Sequence, residues 1–374
     1  YFFILILMKD ELLMHQIALR LLPDIGPVLA KNLISYCGGV QEIFHARKSR
    51  LEKVPGIGPA LATKILGHTV FERAAKEVDY IKKNNIATLF YFDAAYPERL
   101  KRCHDAPVML FYKGAANLNA ARIVSIVGTR NATPYGLAMT DKLVEDLAAM
   151  HVIVVSGMAY GIDVCAHRAA LKYDVPTVAV FGHGLDRVYP AVHQQTAENI
   201  VDKGGLLSEY LSATTVEKTN FPMRNRLVAG LADATIIMEA SRRGGALITA
   251  ELANSYNRDV FAFPGRTTDQ YSQGCNGLIK QNKAVLIESA KDLEYIMGWE
   301  VKPLKKILPQ QVLFIEHSHE ENIILNLFSP GLALNIDFII QASEYTAGKV
   351  AGILLNLEFQ GYLKSLPGKM YILV

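Results

Sequence analysis

The densest run of phosphate-seeking chemistry in this 374-residue chain is Lys218-Thr219-Asn220-Phe221-Pro222-Met223-Arg224-Asn225-Arg226, which puts three cations and a ring into nine residues just ahead of an apolar helical run. Cations that follow a phosphate backbone and a ring that stacks on a base are the two ingredients of single-strand binding. From Lys218 to Lys283, basic residues outnumber acidic ones nine to five. A purely structural role competes with this: Phe221 would staple the helix that follows, and Arg224 or Arg226 would pair with Asp233 or Glu239. For Phe221 alone that role is at least as good; for the segment as a whole, phosphate contact is favoured.

Glycine-rich turns supply a second kind of phosphate chemistry. They are Gly128-Thr129-Arg130-Asn131-Ala132-Thr133-Pro134-Tyr135-Gly136, Ser156-Gly157-Met158-Ala159-Tyr160-Gly161-Ile162-Asp163, Gly182-His183-Gly184-Leu185-Asp186 and Ser241-Arg242-Arg243-Gly244-Gly245. Backbone N–H groups and helix dipoles at such turns form anion sites. One turn of this kind is weak evidence; four on one edge point to phosphates. None is a standard mononucleotide loop, because GxxxxGK[ST] and GxGxxG are both absent. Arg130 stands where a dinucleotide pyrophosphate needs bare backbone, and its fork suits an open phosphate chain instead.

Acid–base candidates are His167, His183, Asp163, Asp186, Glu209 and Glu251. They form no nucleophile elbow, HExxH pair or carboxylate dyad at readable spacing. Cys165 and His167, two apart on a helix, point away from each other. Asp163 and Asp186, each after a glycine-rich turn, read as caps or turn acceptors. No metal-ligand spacing is present.

The elements that must position these residues follow from periodicity. Between residues 121 and 299, short β-branched runs (123–127, 152–155, 177–181, 206–209, 235–239, 260–263 and 284–287) alternate with helical patterns such as 135–150 and 246–257. That alternation predicts a Rossmann-like, mostly parallel sheet, whose ligands bind beyond the carboxyl ends of the strands. Ahead of it, Leu22-Pro23-Asp24-Ile25-Gly26-Pro27 and Val54-Pro55-Gly56-Ile57-Gly58-Pro59 repeat one pattern, a tandem helix-hairpin-helix module of SAM-like type. The DNA-contact and packing readings of that module are level. The tail shows three helical patterns (321–328, 336–342, 346–359), then a turn at Pro367-Gly368 and an apolar strand over 370–374, the order of a winged helix. Its third helix offers Ala, Gly, Leu and Lys349, which suits protein contact or packing better than base reading.

Hydrophobic residues at 51% and charged residues at 20% describe a globular chain, and a net charge of +3 is too even to mark a polyanion partner without local clustering. Cys37, Cys103, Cys165 and Cys275 lie far apart with no CxxC, which fits reduced thiols in a cytosolic compartment. The opening run from Tyr1 to Met8 is too short to span a bilayer; Met8-Lys9-Asp10-Glu11 looks like a natural start, with residues 1–7 upstream of it.

Ile126-Val127-Gly128-Thr129-Arg130, the Ser156–Asp163 turn and Arg224-Asn225-Arg226 resemble hallmark motifs of the DNA-processing protein A (DprA/Smf) family. So do Gly244-Gly245-Ala246-Leu247-Ile248-Thr249-Ala250, Phe263-Pro264-Gly265 and Gly274-Cys275-Asn276-Gly277-Leu278-Ile279-Lys280, and the match runs in order through residues 121–287. The resemblance implies a cytoplasmic, non-enzymatic single-stranded DNA-binding protein of natural transformation that protects incoming strands, helps load the RecA recombinase and forms a homodimer through its Rossmann-like domain. It implies no cofactor, metal, catalytic residue or membrane partner. The expected DNA path is Gly128, Thr129, Arg130, Ser156, Gly157, Lys218, Phe221, Arg224, Asn225, Arg226, Arg243, Gly244, Gly245 and Lys280; Lys218 and Arg243 enter from local chemistry more than from a motif. Expected domains are a helix-hairpin-helix module over 8–82, a Rossmann-like domain over 83–300 with an extension at 83–120, a linker over 301–319 and a winged helix over 320–374. The alternative is a nucleotide phosphoribohydrolase of the lysine-decarboxylase-like type. Its PGGxGTxxE signature is only approached by residues 243–251, where the shift of one residue turns Glu251 about 100° away from the site edge.

Overall fold

The computed structural model describes residues 2–299, 318–329, 332–366 and 368–373. It forms two compact units, Tyr1–Glu300 and Val301–Val374. The expected linker at 301–319 lies outside the described residues as far as 317, as does Pro367 of the expected turn.

The first unit is built on a nine-stranded sheet. Its strands are β1 (Ala87–Phe90), β2 (Met109–Gly114), β3 (Ile123–Val127), β4 (Ile153–Ser156), β5 (Thr177–Phe181), β6 (Gly205–Ser208), β7 (Ala234–Ile237), β8 (Asp259–Ala262) and β9 (Val285–Leu286). Their order is β1-β2-β6-β5-β4-β3-β7-β8-β9, with β3 to β9 parallel and β1 and β2 antiparallel at one edge. Chain order reverses between β3 and β7, so this is a Rossmann-like sheet with its switch point there. β3, β4, β5, β6 and β7 are buried at every position, because helices cover both faces. The two antiparallel strands, β1 and β2, were not among the runs predicted from the sequence.

The helical module docks on that edge. Helices Phe2–Leu21, Pro27–Cys37 and Phe71–Lys83 share one core with Phe90, Val108, Met109, Phe111 and Leu211. The two hairpin copies repeat in geometry as well as sequence. Gly26 and Gly58 are extended N-caps, each followed by a proline at the first helical position. Asp24 (φ 60°) and Gly56 (φ 88°) occupy the same left-handed corner; Asp tolerates that region through its short polar side chain, which is why only the second copy shows both glycines. A polar clasp adds to the core contact: buried Glu77 accepts from the Ser212 amide (2.9 Å) and pairs with Arg73 (2.8 Å).

The second unit has helices His319–Leu325, Ile336–Ser343 and Ala347–Phe359 and a three-stranded sheet of β10 (Leu334–Asn335), β12 (Met370–Leu373) and β11 (Leu363–Leu366). This is a winged helix around Ile324, Ile339, Val350, Leu354 and Leu357. Leu355 and Phe359 are exposed on its third helix, while Lys349 pairs with Glu320 at 2.6 Å.

Because module and sheet edge share one core, Phe111→Ala is expected to cost about 3–5 kcal/mol. Amide exchange should show helix Pro27–Cys37 and β1 losing protection by the same amount; loss confined to β1 and β2 would mean that the two parts open independently.

Candidate nucleic-acid interface

At the switch point the exits of β3 and β7 are tied together. Thr129 N–H donates to Glu239 O at 2.7 Å, and the Glu239 carboxylate accepts from Thr133 N–H (2.9 Å) and Thr133 Oγ1. A Cβ on Gly136 would lie 2.2 Å from that carboxylate, and one on Gly128 would lie 2.4 Å from Ile162 Cγ1. The loop carrying Arg130 is therefore fixed from below, with Gly128 and Thr129 half-exposed and Arg130 exposed at its crest. Glu239, named from the sequence only as a possible arginine partner, is the clamp of this loop.

The segment 218–226 is sorted by a helix that starts earlier than its apolar run suggests, at Asn220, and continues to Leu231. Positions 224 and 226 are about 200° apart on a helix, so the two arginines go to different places. Arg224 is 4% exposed and donates from Nη1 to the carbonyls of Gly157 and Val180, binding the exits of β4 and β5. Across Gly157 stands Asp163: a Cβ on that glycine would lie 2.5 Å from Arg224 Nη2 and 2.6 Å from Asp163 Oδ2. Burial pulls Arg224 down to about 10, opposed by Asp163; burial lifts Asp163, opposed by Arg224 and by the Ala159 and Gly157 amides. Arg226 is 5% exposed and pairs with Glu209, with a second bond to Asp105 O. Both arginines are thus corrected from phosphate contacts to internal ties. Their partners are not the expected Asp233, which pairs with Arg99, nor Glu239. Ser156 is corrected likewise: it is fully buried, its hydroxyl donating to Ile126 O at 2.6 Å, and Gly157 is buried beside it.

The other face of the same helix turns outward. Phe221 and Asn225 are four apart and lie on one side, and Lys218 is exposed in the turn just ahead of the helix. The Phe221 ring sits 5.7 Å from the Arg130 guanidinium and 5.8 Å from the ring of Tyr189, which is half exposed. Asn225 Nδ2 donates to Gly245 O at 3.3 Å, linking this helix to the turn Arg243-Gly244-Gly245, all exposed, where helix Gly245–Ser255 begins. Arg242 is exposed in the same turn. The structure therefore gathers Gly128, Thr129, Arg130, Lys218, Phe221, Asn225, Arg243, Gly244 and Gly245 on the carboxyl edge. Tyr189 was missed; it follows the Gly182–Asp186 turn by three residues, outside the motif itself, and only the fold beyond β5 brings its ring to Phe221. Lys280 does not join them. Helix Gln273–Lys280 begins at the carboxyl edge, where Gly274 N–H meets Ala240 O (2.8 Å), and Lys280 ends it on the approach to the start of β9.

Residues 87–297 match the family described as DNA recombination-mediator protein A. The chain belongs to that family, DprA/Smf. Residues 315–369 match the DprA winged helix domain and residues 17–68 a SAM-like helix-hairpin-helix tandem. Protein Smf of Synechocystis is 32% identical over 93% of this chain and 95% of its own length. DprA of Streptococcus pneumoniae is 41% identical over 54% of this chain and 71% of its own. The X-ray structure of DprA from that organism superposes with a TM-score of 0.66 at 32% identity, covering 74% of this chain and 95% of the other. The Helicobacter pylori protein, solved for its single-stranded DNA binding mode, gives 0.52 at 30% identity, covering 57% and 95%.

In this DprA-family chain each acid–base candidate has a structural partner. Buried His167 approaches Thr177 Oγ1 at 2.7 Å, buried His183 meets Gly184 O through Nδ1, Asp186 pairs with Arg187, and Glu209 with Arg226. Glu251 is exposed beside Lys283 at 3.8 Å, away from the crevice, and gives the phosphoribohydrolase reading no support. No helix among the described residues is long and apolar enough to cross a membrane, and no group of three or more His, Cys, Asp or Glu among them is placed to hold a metal ion.

Removing the internal cation and the surface one should separate cleanly. Arg224→Met leaves Asp163 buried beside no positive partner on that helix and is expected to destabilise the fold by about 3–5 kcal/mol, whereas Arg130→Ala should stay within about 0.5 kcal/mol; equal urea midpoints would overturn this division. Acid provides a second check. Burial and the Arg224 charge pull His167 from 6.5 to about 3. The folded state therefore refuses a proton that the unfolded chain accepts. Stability is full above pH 6.5 and falls as pH drops from 6.5 towards 3, by at most roughly 5 kcal/mol from this group. His167→Gln should flatten that decline in urea titrations, and parallel acid profiles would rule it out.

Proposed function

We propose that this protein binds single-stranded DNA along the carboxyl edge of its sheet, without catalysis, and acts as a recombination mediator in DNA uptake and natural transformation. It protects incoming strands and helps load the RecA recombinase, working in the cytoplasm as a homodimer through the Rossmann-like domain. In this reading the helix-hairpin-helix module spans 8–82 and the winged helix 320–374, and the 83–300 segment carries the DNA path.

One observation carries this reading: Arg130, Phe221 and Tyr189 meet as a cation and two rings on an exposed edge, flanked by Lys218 and by the Arg242-Arg243-Gly244-Gly245 turn. Rings give sequence-tolerant stacking and the cations follow the phosphates. Gly244 and Gly245 leave the start of helix Gly245–Ser255 open, because no side chain caps it, so its amides can meet a phosphate. Membership of the DprA/Smf family supports the same conclusion. The path proposed is Gly128, Thr129, Arg130, Lys218, Tyr189, Phe221, Asn225, Arg242, Arg243, Gly244 and Gly245.

Anisotropy of a labelled oligo-dT, titrated at several salt concentrations, tests it. Removing one cation from the phosphate path should reduce the slope of log K against log salt by about 0.7, so Arg130→Ala is expected to lower it by about that amount. Phe221→Ala should cost about 1–3 kcal/mol of affinity with the slope kept. Unchanged binding in both variants would sink the path. Faster RecA assembly on strands given with the protein is the expected result for the mediator step.

A further inference from the structure

Tyr160, in the turn that leaves β4, is 51% exposed. Its place relative to Arg130 is fixed by the residue that follows it. Gly161 (φ 77°) packs against the Arg130 loop: a Cβ there would lie 2.2 Å from Thr129 O and 2.7 Å from Arg130 O, and Ile162 N–H donates to Thr129 O at 3.2 Å. The β3 and β4 exits are therefore in direct contact, and Tyr160 emerges one residue from that contact.

The Tyr160 ring is held on one side. His193 meets it in a T-shaped contact, with centroids 5.1 Å apart and planes at 67°. His193 is 3% exposed, and neither of its ring nitrogens has a hydrogen-bond partner. Burial, with the Arg168 charge second, keeps this histidine below its ordinary value, so at neutral pH it is an uncharged buttress. Arg168 is exposed on helix Ile162–Lys172 and forms no ion pair among the described residues. A half-exposed ring and an unpaired cation thus share one buried neighbour. The segment Tyr189–His193 joins them to the edge already described, since Tyr189 lies against Phe221 at one end and His193 against Tyr160 at the other. Four residue steps span at most about 14 Å between Cα atoms, so the two ring sites are neighbours.

We propose that Tyr160 and Arg168 form a second subsite for single-stranded DNA, in which Tyr160 stacks on a base and Arg168 takes a phosphate further along the strand from Phe221 and Arg130. The subsite rests on the strand path proposed at Phe221 and Arg130. Covering His193 uses part of the Tyr160 ring and leaves the rest in water, and a ring already fixed loses little freedom when a base stacks on it. Stacking accepts any base, and a guanidinium grips a phosphate with paired N–H groups. The ligand is therefore a strand of several nucleotides rather than a mononucleotide.

The full chain is titrated by anisotropy with labelled oligo-dT, in a length series from the shortest strand that binds upwards. The shortest strands should bind wild type and Tyr160→Leu alike, because they fill the Phe221 subsite alone. Longer strands should bind Tyr160→Leu about tenfold more weakly than wild type, so that this variant gains little from added length. Leu keeps an apolar cover on His193, and Tyr160→Trp, which keeps a stacking face, should retain the gain. Arg168→Gln changes an exposed side chain and keeps the test independent of folding: it should weaken only the longer strands and lower the slope of log K against log salt by about 0.7, while Tyr160→Leu keeps that slope. Strands of every length should be weakened by Arg130→Ala and Phe221→Ala; no effect of those two variants overturns the path itself. With that path intact, equal binding of long strands by wild type, Tyr160→Leu and Arg168→Gln overturns the second subsite alone. A loss in both variants that is the same at every length overturns it as well, since these side chains would then act through the fold.

Discussion

The carboxyl edge of this protein depends on one buried guanidinium. Arg224 spans from its helix to the carbonyls of Gly157 and Val180 and faces Asp163 across a glycine that leaves no room for a side chain. Strand exits end in carbonyls that no neighbouring strand satisfies, and such groups are costly to bury unpaired. A planar cation with several fixed donors binds two of them at once, and Asp163 offsets the charge that this requires. The helix Asn220–Leu231 is thereby held at one height against β4 and β5, which fixes where Phe221 and Asn225 emerge.

A division of labour among cations follows. Arg224 and Arg226 are internal, Arg99 and Arg73 tie loops, and Arg130, Lys218, Arg242 and Arg243 remain exposed. The internal ones set geometry; the exposed ones are available to phosphates. Glu239 does for the β3 exit what Arg224 does for β4 and β5, with the charge reversed. Arg226 lies on the helix that carries Phe221 and ties it to Glu209 just beyond β6.

The fold was readable because burial on both faces leaves a plain mark: strands such as Ile123–Val127 and Thr177–Phe181 are apolar or small throughout and stand where the sequence predicted them. The hairpin repeat was readable because its turn chemistry recurs, down to the proline after each extended glycine. β1 and β2 were not, because Ala87–Phe90 and Met109–Gly114 are short edge runs whose partner is each other and β6, and no local period announces such pairing.

Residue types and spacing by themselves determined the family, the parallel sheet and the edge on which phosphate chemistry collects. A βα turn puts its glycines and helix start at the strand end wherever the rest of the chain goes. Only the tertiary structure decided which cations reach that edge. Read as a string, Lys218, Arg224 and Arg226 are equivalent. In the fold, Lys218 stays outside in the turn ahead of the helix and the two arginines turn inward from the helix to different partners, while Tyr189 arrives from another loop. Net charge survives in composition, but solvent exposure is a property of packing, and a sequence of like charges carries no record of which will be buried.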